Sequence, residues 1–217
     1  MGTSETLPTR DRLVQAMARA LQQRGYHGIG LAELLAEAGA PKGVLYHHFP
    51  GGKQALAVAA IEATAAHIEA SLDRLIVARA DPLPALQGWL AMAQAQLGRS
   101  GFERGCPLAT VALETTAADT AVRAALARAF DGIRARLALL LCAAGVAEAR
   151  AGGLAALVVA AYEGALMQAR VAGSAAPMAA AAEALMAMLR QQIARPLPAP
   201  PALPRPAGLV RPRGHTR

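Results

Sequence analysis

Apolar residues recur at intervals of three and four along most of the chain, the period expected of α-helices with one buried face. The first predicted helix begins near a cap at Thr9 and ends at Gly25, which can adopt the conformation that stops a helix. Its apolar face consists of Leu13, Ala16, Met17, Ala20 and Leu21. A second short helix covers residues 31–38 and ends at Gly39. Two helices joined by a tight turn are therefore predicted before residue 40.

A third short helix is predicted to begin at Pro41, since proline lacks the amide that would be unpaired at a first helical position. Pro50-Gly51-Gly52 ends it. Longer helices are predicted over residues 53–79, 84–97, 108–116, 120–144, 147–171 and 177–194. The pattern thus predicts an all-α protein of about nine helices: a three-helix domain over 1–52, a larger helical domain over 53–194 and a Pro/Arg-rich disordered tail over 195–217.

Composition supports an all-helical fold. Hydrophobic residues make up 54% of the 217 residues but aromatic residues only 3%, which is too little for a large sheet. No run reaches about 18 uninterrupted apolar residues, and the N-terminus lacks the basic and apolar regions of a secretory signal. The two cysteines, Cys106 and Cys142, are too few for a disulfide framework. We therefore expect a cytoplasmic protein that has no membrane partner.

The basic residues are concentrated at the two ends of the chain. Residues 1–53 hold six Lys/Arg against four Asp/Glu, residues 54–194 hold eleven against eleven, and residues 195–217 hold five arginines and no acid. The net charge of +7 therefore does not by itself indicate nucleic-acid binding, because a solvated basic tail gives the same excess.

Residues 40–53, APKGVLYHHFPGGK, contain both lysines of the chain, and their spacing predicts a helix-turn-helix. At 100° per residue, Leu45 and Phe49 lie on the same face of this helix and are expected to be buried. This helix is the second of the motif, the one that enters the major groove of DNA. The predicted DNA contacts are Lys42, Gly43, Val44, Tyr46, His47, His48 and Lys53. Gly43 and Val44 would face the bases, and Tyr46 and His48 the phosphates. A short surface helix would show the same spacing, so the pattern alone leaves both interpretations open.

His47 and His48 do not indicate a metal site. Adjacent helical residues diverge by 100°, and no nearby cysteine or carboxylate completes a ligand set. The chain also lacks the G-x-S-x-G, H-E-x-x-H and phosphate-loop motifs. We therefore predict no cofactor and no enzymatic activity.

The segment KGVLYHHFPGGK, preceded by LAELLAEAG, resembles the DNA-binding domain of the tetracycline-repressor (TetR) family. The sequence of this segment is similar to that of the LmrA/YxaF-like branch of the family. Two later segments, GCPLATVALE at 105–114 and EGALMQAR at 163–170, are also similar to that branch. The resemblance implies a homodimeric transcription factor, usually a repressor, that binds a palindromic operator. It also implies a dimer interface formed by the last two long helices and release from DNA by a small hydrophobic effector.

Carried over by position, the resemblance assigns DNA contacts to Lys42, Tyr46, His47 and Lys53. The chain departs from the family at Pro41, where a hydroxyl residue commonly meets phosphate, and at Gly30, where Ser or Thr often caps the second helix. A competing interpretation is a helical small-molecule-binding protein without specific DNA binding. Small residues in the last two helices, such as Ala161 and Ala165, fit either a dimer interface or close packing within one subunit.

Large and polar residues of the second domain are candidates for the effector cavity, although each also fits an ordinary core position. They are Trp89, Met92, Phe102, Cys106, Thr110, Leu113, Glu114, Phe130, Tyr162 and Met167. Glu114 lies within an apolar run and needs a partner if it is buried. That partner would be either the effector or an arginine such as Arg104 or Arg170. Cys106 has no second cysteine or basic cluster beside it that would favour a reactive thiol.

Overall fold

The computed structural model describes residues 7–77 and 81–194, and the regular secondary structure of this part of the chain is all α-helix. Its helices are α1 (Thr9–Arg24), α2 (Leu31–Glu37), α3 (Lys42–His48), α4 (Gly52–Val77), α5 (Pro82–Arg99), α6 (Pro107–Glu114), α7 (Thr120–Ala143), α8 (Glu148–Ala172) and α9 (Ala176–Ala194). The all-α prediction is confirmed. Residues 78–80 and the tail from 195, for which a helix end and disorder were predicted, lie outside the described residues.

The cap residues of the first and third helices differ from the sequence prediction. Pro41 precedes α3 as its N-cap residue, with φ −64° and ψ 151°, and Lys42 is the first helical residue. Thr9 is the first residue of α1, and Pro8 occupies the cap position without a side-chain hydrogen bond. The shift at Pro41 leaves the side chain of Lys42 in the first turn of α3, beside its unpaired amides.

The helix-turn-helix is held together by a small apolar core and by polar contacts, among them the hydrogen bonds of Arg12. Leu45 of α3 is fully buried, and Phe49, just after α3, is buried in the same core. Arg12 of α1 donates from Nε to the carbonyl oxygen of Ala38 at 3.2 Å, and from Nη2 to that of Gly39 at 3.3 Å. These bonds satisfy carbonyl oxygens at the end of α2. Arg12 of α1 therefore stabilises the turn between α2 and α3, which sets the orientation of α3.

The remaining helices form a bundle around α4. Helix α4 packs along α7, α7 packs on α8, and α8 packs on α9. Helix α4 also contacts α1, so the same long helix lies against both parts of the chain. Helix α4 therefore connects the helix-turn-helix to the bundle by direct contacts.

Two described helices, α4 and α8, are long and apolar enough to cross a membrane, each with a mean hydropathy of 1.3 over the best 18-residue window. The same criterion is met by core helices of helical bundles. Here the apolar side of α4 is covered by α1 and α7, and one side of α8 is covered by α7 and α9. Within these windows 33% of α4 and 28% of α8 is buried inside the bundle.

Candidate nucleic-acid interface and ligand cavity

The outer face of α3 carries the residues predicted to contact DNA. Lys42, Gly43, Tyr46 and His47 are exposed, and the side chain of Tyr46 is 47% accessible although it is large and partly apolar. A Cβ added at Gly43 would meet nothing within 4 Å, so the backbone is open to close approach by a partner. Val44 and His48 are half-buried at the edges of this surface.

Lys53, at the start of α4, is not a free surface cation. Its ammonium lies 4.8 Å from the centre of the Tyr26 ring, in a cation–π arrangement. Partial burial lowers the pKa of Lys53, while the nearby carboxylate of Glu114 opposes that shift. The lysine therefore joins the α1–α2 turn to α4, close to the α3 surface.

Within the bundle is a cavity of about 720 Å³, a volume in the range of small-molecule sites. Its walls come from α4, α5, α7 and α8, with Gln22 and Gln23 of α1 at one side. Of the ten residues predicted to line an effector site, five line this cavity: Trp89, Met92, Cys106, Phe130 and Tyr162.

The other five predicted residues lie away from the cavity lining. Thr110 turns back on its own helix, and its hydroxyl donates to the carbonyl oxygen of Cys106 at 2.8 Å. Phe102 packs beside Gly98 in the loop after α5. Leu113 and Met167 are 80% and 56% exposed, since they lie on the outer faces of α6 and α8. The fifth residue, Glu114, contacts the α1–α2 turn.

Glu114 corrects the sequence interpretation, because its partner is neither Arg104 nor Arg170. Its Oε2 accepts a hydrogen bond from the backbone amide of His27 at 3.0 Å. Glu114 is the last residue of α6, whereas Cys106, just before that helix, lines the cavity. The eight residues of α6 span about 12 Å, which places Glu114 at the end remote from the cavity.

Asp119 makes a second contact with the α1–α2 turn. Its Oδ2 accepts hydrogen bonds from the amide and the hydroxyl of Thr116, both at 2.8 Å, and lies 3.4 Å from Nε2 of His27. The Thr116 bonds, and after them the imidazole of His27, lower the pKa of Asp119. Glu114 and Asp119 together bind one short turn of the helix-turn-helix to the two ends of the α6–α7 connection.

The aromatic walls of the cavity are held in fixed positions. Trp89 donates from Nε1 to the hydroxyl of Ser71 at 2.9 Å, and that hydroxyl donates to the carbonyl oxygen of Ile68 at 2.6 Å. The centres of the Trp89 and Tyr162 rings are 5.6 Å apart. The N–H group of the indole is therefore bonded to Ser71, and this hydrogen bond fixes the orientation of the ring.

A buried carboxylate that the sequence analysis did not single out also lines the cavity. Burial raises the pKa of Glu163 to about 7, although a hydrogen bond from the Cys106 thiol acts in the opposite direction. Its Oε2 atom is buried and has no hydrogen-bond partner among the described residues. Burial and the Glu163 charge raise the pKa of the Cys106 thiol, which disfavours the reactive thiolate.

Among the described residues, no group of three or more His, Cys, Asp and Glu side chains could hold a metal ion. The rings of His47 and His48 do lie with their centres 5.0 Å apart, in an edge-to-face arrangement. No carboxylate or cysteine joins them within that part of the chain.

Comparison with known proteins identifies the family. Residues 13–60 match the family model for bacterial regulatory proteins of the tetR family, and residues 82–184 match the model for the C-terminal domain of LmrA/YxaF-like transcriptional regulators. The chain is 31% identical to the HTH-type transcriptional regulator YxaF of Bacillus subtilis (strain 168) over 72% of this chain and 82% of that protein. It is 32% identical to LmrA of the same strain, over 72% of this chain and 83% of that regulator.

A solved structure shows the same fold. The regulatory protein TetR from Rhodobacter sphaeroides superposes with a TM-score of 0.73 and 28% sequence identity, over 82% of this chain and 96% of that chain. The sequence matches cover both the helix-turn-helix and the bundle that holds the cavity. The chain belongs to the TetR family of bacterial transcriptional regulators, in its LmrA/YxaF-like branch.

Proposed function

We propose that this regulator is a repressor that binds a palindromic operator as a homodimer and leaves it when a small hydrophobic effector enters the cavity. The observation that carries the proposal is the α3 surface, where Lys42, Tyr46 and His47 are exposed around an open Gly43. A lysine and a tyrosine hydroxyl suit phosphates, while the bare backbone at Gly43 suits close approach to base edges. Residues 1–52 then form the DNA-binding domain and residues 53–194 the effector-binding and dimerisation domain.

Helix α6 offers a direct route from the effector to the DNA-binding domain. Cys106 and Pro107, at its start, line the cavity, and Glu114, at its end, holds the amide of His27. An effector that displaces the start of α6 would pull on the α1–α2 turn and re-aim α3. A ligand shifts such an equilibrium only by its difference in affinity for the two arrangements, so the effector must contact this end of the cavity.

The dimer interface is proposed on the exposed faces of α8 and α9. On α8, apolar and small residues follow one face at intervals of three and four: Gly153, Leu157, Ala160, Gly164, Met167 and Val171. Val171 is 86% exposed and Met167 56%. On α9 a matching small-residue face contains Ala176, Ala180, Ala184 and Ala187, all exposed. Ala165 is buried within its own chain and Ala161 is half-buried beside α9, so both belong to the packing of one subunit.

Ala160→Arg is expected to weaken the dimer by more than about 100-fold, because two-fold symmetry buries the new charge twice. Sedimentation velocity over a concentration series measures the effect. Ala127→Arg on α7 is the matched control, since Ala127 is exposed on a face shared with the charged residues Asp131 and Arg134. If both variants sediment as the wild type does, the interface lies elsewhere.

Binding to DNA from upstream of the protein's own gene tests the repressor proposal. We expect tight wild-type binding that is weakened roughly tenfold by Lys42→Ala and by Tyr46→Ala in mobility-shift titrations. Across a salt series, Lys42→Ala should also reduce the salt slope by about one, because one phosphate contact is lost. Equal, wholly salt-driven binding by all three proteins would contradict the proposal.

That contradictory result would favour the alternative, a helical small-molecule-binding protein without specific DNA binding. Pro41 and Gly30 motivate this alternative, since neither supplies a side-chain cap or a hydroxyl for a phosphate. For a DNA-binding regulator we expect a cytoplasmic location, no membrane partner and no enzymatic activity of its own. The named relatives are likewise transcriptional regulators.

A further inference from the structure

The carboxylate of Glu163 is only half satisfied within the protein. The thiol of Cys106 is a weak donor to it, and its Oε2 atom is buried with no partner in the described part of the chain. Withdrawing a carboxylate from water is costly unless donors replace the lost hydration. A bound molecule that enters the cavity can supply the missing donor, because Glu163 is part of the lining.

The protein's own cations do not meet this need. Arg74, Arg99 and Arg104 also line the cavity, but all three are exposed, so their charges lie on its water-facing side. No ion pair found among the described residues includes Glu163. The inner wall therefore carries a buried acid, while the basic groups stay in water, where ions screen them.

The surface around this acid is aromatic. Trp89 and Tyr162 lie with ring centres 5.6 Å apart, and Phe130 adds a third ring to the lining. Because Ser71 takes up the indole N–H, Trp89 presents ring carbon rather than a free donor. Aromatic faces attract cations through their quadrupoles, and the attraction grows when water is excluded.

We propose that the effector is an aromatic molecule with a positively charged nitrogen, and that this nitrogen donates to the free oxygen of Glu163 while its rings pack against Trp89 and Tyr162. The inference rests on the proposed function of the cavity as the effector site and names the chemical class of the effector. A charged donor matches the acid better than a neutral hydroxyl does, since charge-assisted hydrogen bonds are the stronger ones.

A pair of probes that share one carbon skeleton tests this charge preference. Binding of 9-(aminomethyl)anthracene, which is an ammonium ion at pH 8, is compared with binding of the neutral 9-anthracenemethanol, without DNA, by fluorescence titration. We expect the ammonium to bind wild-type protein at least tenfold more tightly than the alcohol. In Glu163→Gln that preference should fall to about twofold or less, with little change for the alcohol.

Glu148→Gln is the matched control, because Glu148 lies on the same helix as Glu163 but is exposed and outside the cavity lining. Its ammonium preference should equal that of the wild type. Loss of folding is not expected in Glu163→Gln, since glutamine keeps the shape of the side chain and removes a buried charge at pH 8. Thermal melting of each variant confirms that the proteins compared are folded.

The ammonium preference should also rise between pH 6 and pH 8. Burial raises the pKa of Glu163 to about 7, so the carboxylate ionises within this window, whereas the ligand stays charged. The ionisable groups that line the same cavity are His67, Arg74, Arg99, Glu103, Arg104, Cys106 and Tyr162. Any part of the rise that persists in Glu163→Gln comes from a group other than this carboxylate.

Each other result overturns the inference. Equal binding of the two probes, or a preference unchanged in Glu163→Gln, would leave the cavity as a ligand site but remove the cationic class. If neither probe bound the wild-type protein, both the inference and the effector role of the cavity would be overturned. Operator binding, measured separately in mobility shifts, would remain as evidence for the regulator itself.

Discussion

Gly25→Ala is expected to lower the free energy of unfolding by about 2–4 kcal/mol and to disturb the join between the helix-turn-helix and the bundle. Gly25 has φ 67° and ψ −173°, a backbone conformation that is accessible essentially to glycine alone. A Cβ there would also overlap the carboxylate of Glu114. Glu114 can swing aside, but only by giving up its hydrogen bond to the amide of His27. Thermal melting should show a fall of roughly 10 °C.

Gly39→Ala separates the backbone cost from the contact with Glu114. Gly39 also has a positive φ, 59°, but a Cβ there would meet nothing within 4 Å. We expect it to cost only about 1 kcal/mol. The double variant Gly25→Ala/Glu114→Ala should cost less than the sum of its two single changes, because the clash and the lost bond are one event. A Gly25→Ala protein no less stable than Gly39→Ala would contradict this account.

All nine described helices could be predicted from the sequence, because their signals are local. Apolar periodicity and glycine or proline at the ends located all nine described helices to within a few residues. The differences lie at caps, such as Pro41, where proline suits either the cap or the first helical position. The exposed residues of α3 could also be predicted from the sequence, because they lie within one short helix with a turn at each end.

The two informative carboxylates show where local reasoning ends. Both Glu114 and Glu163 interrupt apolar runs, but the argument that a buried acid needs a partner was made from the sequence only for Glu114. The partner of Glu114 is a backbone amide 87 residues away in sequence, which no side-chain pairing rule would have found. Glu163 was within reach of that argument, but its meeting with Cys106 depends on how α8 packs beside the α5–α6 loop.

The remaining prediction separates the DNA-binding surface from the fold. Gly43→Glu should abolish operator binding, with a loss of more than about 100-fold, yet leave the protein as stable as the wild type. A side chain at this position meets open space, and glutamate near the start of a helix favours both propensity and the helix dipole. Against DNA, the same side chain would hold the backbone away from the bases and place a negative charge among phosphates. Mobility-shift titration and thermal melting measure the two effects.

Gly88→Glu is the matched control, since Gly88 is also an exposed helical glycine with nothing within 4 Å of an added Cβ, but on α5. It should bind the operator as the wild type does. Gly43→Ala adds a methyl group without charge, so its smaller loss isolates how closely the backbone approaches the bases. If Gly43→Glu bound the operator with wild-type affinity, the backbone at Gly43 could not approach the bases closely, and the proposed placement of α3 in the major groove would be wrong.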